Sequence, residues 1–172
     1  MVEFNTNQLA GKRELEAKDV FYNHIVPLAE ESFIHDGKLA PMVFLFLDDQ
    51  ERDKVAIAPM PADMFMESED KKELLSGLLH ELADKLDVIA IGMFSEAWMT
   101  IMNTKTGEPE GKEEICFFSF ESENMVLMKR NIVVRNAEEN TISFNYGDVD
   151  TDTNMTGKFV GFLKDLKKLK QN

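Results

Sequence analysis

The chain has 172 residues, 44% hydrophobic and 30% charged, with 32 acids against 19 bases and a net charge of −13. That suits one soluble globular domain and opposes direct contact with DNA or RNA, whose phosphates an acidic body repels. The single cysteine, Cys116, excludes an intramolecular disulfide, so nothing points to an oxidising compartment.

The N-terminal stretch "MVEFNTNQLAGKRELEAKDV" has no apolar run after a basic start, and no window approaches 18 uncharged apolar residues. Neither a signal peptide nor a transmembrane helix is expected, and the expected location is the cytoplasm. The core material is 13 Phe and 11 Met against one Trp and two Tyr. Methionine fills irregular gaps and adapts to partners, so these residues serve either as core filler or as a sticky surface.

Residues 8 to 35 read as helical, because Ala17, Val20, Phe21, His24, Ile25 and Leu28 share one stripe. Pro27 removes a backbone donor and crowds the preceding turn, which predicts a kink or two shorter helices. Gly37 in "HDGK" is a natural left-handed stop, with His35 and Asp36 as end residues. "MVFLFL", "DDQERD" and "KVAIA" read as strand, turn and returning strand, closed by Pro59 and Pro61, which cannot donate to a ladder.

Ser68 to Leu86 forms the clearest helix. Ser68 caps it, Glu69 and Asp70 suit its dipole, and Leu74, Leu75, Leu78, Leu79, Leu82 and Leu86 give a wide apolar face for a sheet. Four strands follow. "DVIAIGMFSEAWMTIM" is long and largely apolar; "EEICFFSF" is apolar on both faces and so central. "NMVLMKRNIVVR" is interrupted at Lys129 and Arg130, which predicts a bulge. "TISFNYG" alternates, so one of its faces is wet. The connections read as antiparallel links, and "NTKTGEPEGK" is long enough for a mobile, exposed tip.

Residues 157 to 172 carry five Lys and one Asp, whereas residues 1 to 156 carry 31 acids against 14 bases. In this tail Phe159, Phe162, Leu163, Leu166 and Leu169 share a face, which predicts a short amphipathic helix. The predicted fold is thus a single acidic α+β domain over residues 1 to 156, with a basic C-terminal helix packed on it or appended to it. Its sheet is mainly antiparallel, of five to six strands, with the helices on one face.

Several segments invite a chemical reading. "YGDVDTDTNMTG" places Asp148, Asp150, Asp152 and Asn154 at every second position, as in a calcium loop. Counting from Asp148, however, position 6 is Thr153 and position 12 is Phe159; counting from Asp150, they are Met155 and Gly161. Neither register supplies the turn glycine or the bidentate Glu, so the segment reads as a solvated linker and no metal is expected. "LLHELADKLD" begins like a zinc-protease helix, but Asp84 stands where a second His is needed. His80 and Asp84 read as exposed polar contacts. His24 lies on the predicted apolar stripe with no dedicated acid or nucleophile beside it, so it reads as a core histidine.

Cys116 sits in an apolar run and reads as an inert thiol. In "FSEAWM", Ser95 lacks the G-x-S-x-G elbow of a hydrolase. Glu96 and the only tryptophan, Trp98, share one strand face. They form either an outward-facing edge or a contact surface, since an unpaired buried carboxylate is costly. No glycine-rich phosphate loop is present, and no cofactor is expected.

The segments "HDGKLAPMVFLFLDDQERDKVAIAPMP", "VIAIGMFSEAWM" and "EEICFFSFESENM" with the following "IVVR" strand resemble a group of small α+β proteins of bacterial and phage genomes. The resemblance covers residues 30 to 145, implies no activity and transfers no catalytic residue.

The expected function is a non-enzymatic protein-interaction module. Glu96 and Trp98, or Phe159, Phe162 and Leu166 of the tail, would supply the contact surface to a protein partner or to a second copy. Two other functions compete: an acidic mimic of nucleic acid that blocks a DNA-binding protein, and a small hydrolase or transferase without a familiar motif, which would converge titratable groups such as His24 or Glu96 in a pocket.

Overall fold

The N-terminal helix runs through Pro27 without stopping. In the computed structural model, which describes residues 11–151, α1 (Lys12–Val20), a π-helical turn (Phe21–Ile25) and α2 (Val26–Asp36) follow one another continuously. Proline lacks the N–H that would bond one turn back, and its ring crowds that turn. The helix answers with a wider turn: the Val26 N–H bonds the Phe21 carbonyl, five residues back. Such π turns let a helix absorb one extra residue.

That extra residue rotates the buried face by about 100°, the angle of one helical residue. Of the stripe expected at 17, 20, 21, 24, 25 and 28, Ala17 and Phe21 are buried and Val20 and Ile25 half-buried, and beyond the turn the buried residues are Val26, Ala29, Glu30 and Phe33. His24 is therefore exposed, not a core histidine, and Leu28 is 67% exposed. Gly37 ends α2 in the left-handed conformation at φ 73°, and its N–H bonds the Phe33 carbonyl at 2.7 Å.

The sheet is antiparallel throughout. Its strands are β1 (Met42–Asp49), β2 (Lys54–Pro61), β3 (Val88–Met102), β4 (Pro109–Ser122), β5 (Val126–Asn136), β6 (Thr141–Asn145) and a two-residue β7 (Asp150–Thr151). The spatial order is β2-β1-β3-β4-β5-β6, and β7 continues the β6 edge along the other half of β5. β4, the strand apolar on both faces, is central. Pro61 ends β2 as expected, whereas Pro59 lies inside it, because β2 is an edge strand where a missing donor costs no ladder bond.

Helices cover both faces of this sheet, not one. Along β1, Phe44 and Phe46 face α1 and α2, while Val43 and Leu45 face α3 (Glu69–Lys85) on the other side. The continuous apolar run "MVFLFL" encodes this two-sided burial, as alternation would encode a one-sided sheet. α3 is capped by Ser68, whose hydroxyl accepts from the Lys71 N–H at 3.2 Å. Leu75, Leu79 and Ala83 are its buried residues, and Leu74 points to solvent.

The first face is an aromatic layer. Phe21 packs near Phe44, Phe46 and Phe120, with ring centroids 5.9 to 6.3 Å away, and Phe33 stacks on Phe144 at 5.1 Å. Methionine is mostly absent from both layers: among the described residues only Met93 is fully buried, and Met64 and Met102 are exposed. The expected C-terminal helix, with Phe159, Phe162 and Leu166, and also Asp152, lie outside the described residues.

Gly92 lies directly under Phe21. A Cβ there would meet the Phe21 ring at 2.6 Å and the Phe46 ring at 3.2 Å. Gly92→Ala should destabilise the fold by about 1–3 kcal/mol, the usual cost of overpacking, read as a shifted midpoint in urea unfolding.

Candidate interaction surface

β3 and β4 outrun the sheet. β1 pairs with β3 only from Val88 to Phe94, and β5 pairs with β4 only from Ile115 to Glu121. The hairpin itself continues from Ala97 with Ile115 out to Met102 with Pro109. The outer half is thus a two-stranded arm with no strand beside it among the described residues. Its tip is an organised turn. Asn103 Oδ1 accepts from the N–H groups of Lys105 (2.8 Å) and Thr106 (3.2 Å), and the Gly107 N–H bonds the Asn103 carbonyl at 2.8 Å. Gly107 takes φ 72°, which few other residues tolerate.

Trp98 stands on this arm, 67% exposed, with Met102 on the same face 49% exposed. Glu96 and Trp98 do share a face, but they do different work. Glu96 Oε1 accepts the Leu39 N–H at 2.6 Å, tying the foot of the arm to the segment after α2. Glu96 is exposed, as an outward-facing carboxylate would be, and is at the same time a structural clamp, while Trp98 projects beside it.

A second clamp lies beside the first, and it is invisible in sequence. Arg135 of β5 grips Glu114 bidentately, through Nε at 2.8 Å and Nη2 at 2.6 Å. The same Nη2 donates to the Gly37 carbonyl at 3.0 Å, and the guanidinium lies over the Phe33 ring. Glu114 faces Trp98 across the β3–β4 ladder. The Arg135 hydrogen bond holds the Glu114 carboxyl below its ordinary 4.5, ahead of the opposing effect of burial. Cys116 is fully buried between the two clamps, and burial, then Glu96 and Glu114, push its thiol up to about 12.

Lys129 makes no bulge against β4, where the register runs unbroken from Val126 to Ile132. Its Nζ reaches the buried Glu30 of α2 at 2.9 Å. Glu30 also accepts from Asn131 Nδ2, and Asn131 Oδ1 accepts the Gly147 N–H at 3.0 Å. The irregularity lies on the opposite edge of β5, where Tyr146 to Val149 arch between β6 and β7. A Cβ on Gly147 would stand 2.0 Å from the Arg130 carbonyl oxygen, so only glycine fits. The acidic segment that resembled a calcium loop is thus partly sheet edge: Asp150 pairs with Met128 in β7, and Asp148 is exposed.

His80 lies half-buried on α3, with Nδ1 2.8 Å from the Ser76 carbonyl. A cleft of 520 Å³ opens beside the π turn, lined by Lys18, Asp19, Tyr22, Asn23 and Asn124 among others; neither His24 nor Glu96 lines it. The Tyr22 hydroxyl there donates to the Phe118 carbonyl at 3.1 Å, and burial raises its pKa. Among the described residues no helix is long and apolar enough to cross a membrane. No family model, curated protein or solved structure matches the chain.

The Glu114 carboxyl is depressed in the folded state, so its contribution is complete above pH 4.5 and is lost as the pH falls through the lower folded value. Glu114→Gln should therefore lower the melting temperature near neutrality, and the gap to wild type should narrow as the pH falls below 4.5 in a thermal-melt series. Cys116 should not react with a thiol-exchange reagent at about pH 8 in the native protein and should react fully once unfolded, as read by absorbance.

Proposed function

We propose that this protein is a non-enzymatic interaction module and that the β3–β4 arm is its contact element. One observation carries the reading: the only tryptophan stands largely exposed on a two-stranded arm whose foot is clamped by Glu96 and Arg135. Exposed tryptophan on a fixed element is typical of a binding anchor, because it buries much area while ordering few torsions.

The free edges of the arm carry unpaired backbone groups, which a partner strand or a second copy can use. Residues 96 to 114 hold five Glu and two Lys, a net of −3, so the matching surface has an apolar pocket rimmed by basic residues. A bacterial or phage setting, suggested by the resemblance of residues 30 to 145, fits a small adaptor of this kind but names no partner.

Capture from native cells with wild type and with Trp98→Ala as bait tests the reading. Trp98 is exposed, so its loss should leave the melting temperature nearly unchanged while weakening the captured complex by about 2 kcal/mol or more. Mass measured in solution, with and without Trp98, tells a protein partner from self-association. Identical capture and identical mass for both chains would remove the arm from consideration.

A further inference from the structure

With the arm as the contact element, we infer that its partner is a second copy of this chain. The two arms join outer β3 edge against outer β3 edge into one antiparallel sheet of four strands, ordered β4-β3-β3-β4.

The two free edges of the arm differ in kind. On β4, residues 109 to 114 read "PEGKEE", with four charges, a proline and a glycine. The ladder skips Glu110 there, passing from Gly111 opposite Ile101 to Pro109 opposite Met102. Charge, proline and bulges blunt an edge against further pairing. On β3, residues 97 to 102 read "AWMTIM", with no charge, no proline and no glycine. β3 alternates here without a break: Glu96, Trp98, Thr100 and Met102 are exposed, and Ala97, Met99 and Ile101 are half-buried. β1 leaves this edge at Phe94. A regular, uncharged edge of this kind is a template for another strand.

Backbone pairing alone would admit any extended segment; the side chains select a second copy. With Thr100 on a two-fold axis, antiparallel pairing sets Trp98 of each copy opposite Met102 of the other. These are the large exposed apolar side chains of the arm, and sulfur packs well against an aromatic ring. On the other face Met99 falls opposite Ile101, and on the axis the two threonines meet as a favourable cross-strand pair. Asn103 falls opposite Ala97, so the tip turn of one copy, with Lys105, stands level with Glu96 of the other. The two Glu96 carboxylates lie eight positions apart along the paired strands, roughly 27 Å at strand rise. Exposed charges in physiological salt act over only about 8 Å, so the acidic bodies, at opposite ends of the paired arms, leave the pairing unopposed.

Solution mass between about 1 and 300 µM tests the pairing, a range suited to the small area that one short strand per copy buries. Wild type should pass from monomer to dimer. Thr100→Lys sets like charges face to face on the axis and should weaken association roughly tenfold or more. Mild oxidation reads the register. Thr100→Cys should link two chains covalently, whereas Met102→Cys should not, because its thiols lie roughly 13 Å apart in this pairing. Wild type that stays monomeric throughout the range overturns the self-pairing, and Trp98-dependent capture of another protein would then still keep the arm as contact element. A dimer that ignores Thr100→Lys, or that links at Met102→Cys as readily as at Thr100→Cys, overturns it as well.

Discussion

The seat of Phe21 on Gly92 is the contact on which the rest of the fold depends. It fixes where the long N-terminal helix lies on the sheet, because no other β3 position facing α1 and α2 lacks a side chain. Phe21 is also the first residue of the π turn, so the seat and the phase change share one place. Upstream of it, Ala17 is buried and Arg13 reaches across to Asp48 at 3.2 Å, holding α1 against the β1–β2 hairpin. Downstream of it, the rotated helix brings Glu30 and Phe33 inward. Without the extra residue, His24 and Leu28 would meet the aromatic layer and Glu30 would stand in solvent.

Turning Glu30 inward creates a demand that β5 meets. A buried carboxylate is costly unless paired and hydrogen-bonded, and Lys129 and Asn131 do both. Asn131 then spends its remaining oxygen on Gly147, which presses the arch between β6 and β7 onto the edge of β5. A helix-phase event near Pro27 is thereby linked to the path of the chain 120 residues later. The pairs Glu114–Arg135 and Glu96–Leu39 act likewise at the other end of α2, where they fix the foot of the arm. Glu96, which sequence suggests as a candidate for chemistry, is used in positioning, as are Glu30 and Glu114.

The outcome is a body closed by an aromatic layer on one face and by α3 over half of the other, with two surfaces left over. One is the arm with Trp98, which points away from the body. The other is the side of β4 and β5 around Ile115 that α3 does not reach. They differ in kind: the arm carries the exposed Trp98 and backbone edges with no strand beside them among the described residues, whereas the second surface mixes the half-buried Met128 and Ile132 with the exposed Arg130. Methionine fits this division, since it is concentrated at half-buried margins and not in the Phe-built core.

Local patterning by itself determined the α+β class, the order of the described elements, the six main strands, the central place of "EEICFFSF", the start at Ser68 and the stop at Gly37. Each of these rests on periodicity or on a backbone preference within a few residues. It did not determine which helix face is buried past Pro27, because a period of 3.6 cannot register an inserted residue that only a wider hydrogen-bonded turn reveals. Nor did it determine the use of Glu30, Glu96 and Glu114, whose partners lie between 21 and 101 residues away in sequence. A charge in an apolar segment signals only that a partner is needed. Where that partner stands was decided by the tertiary structure, when the helix crossed the sheet.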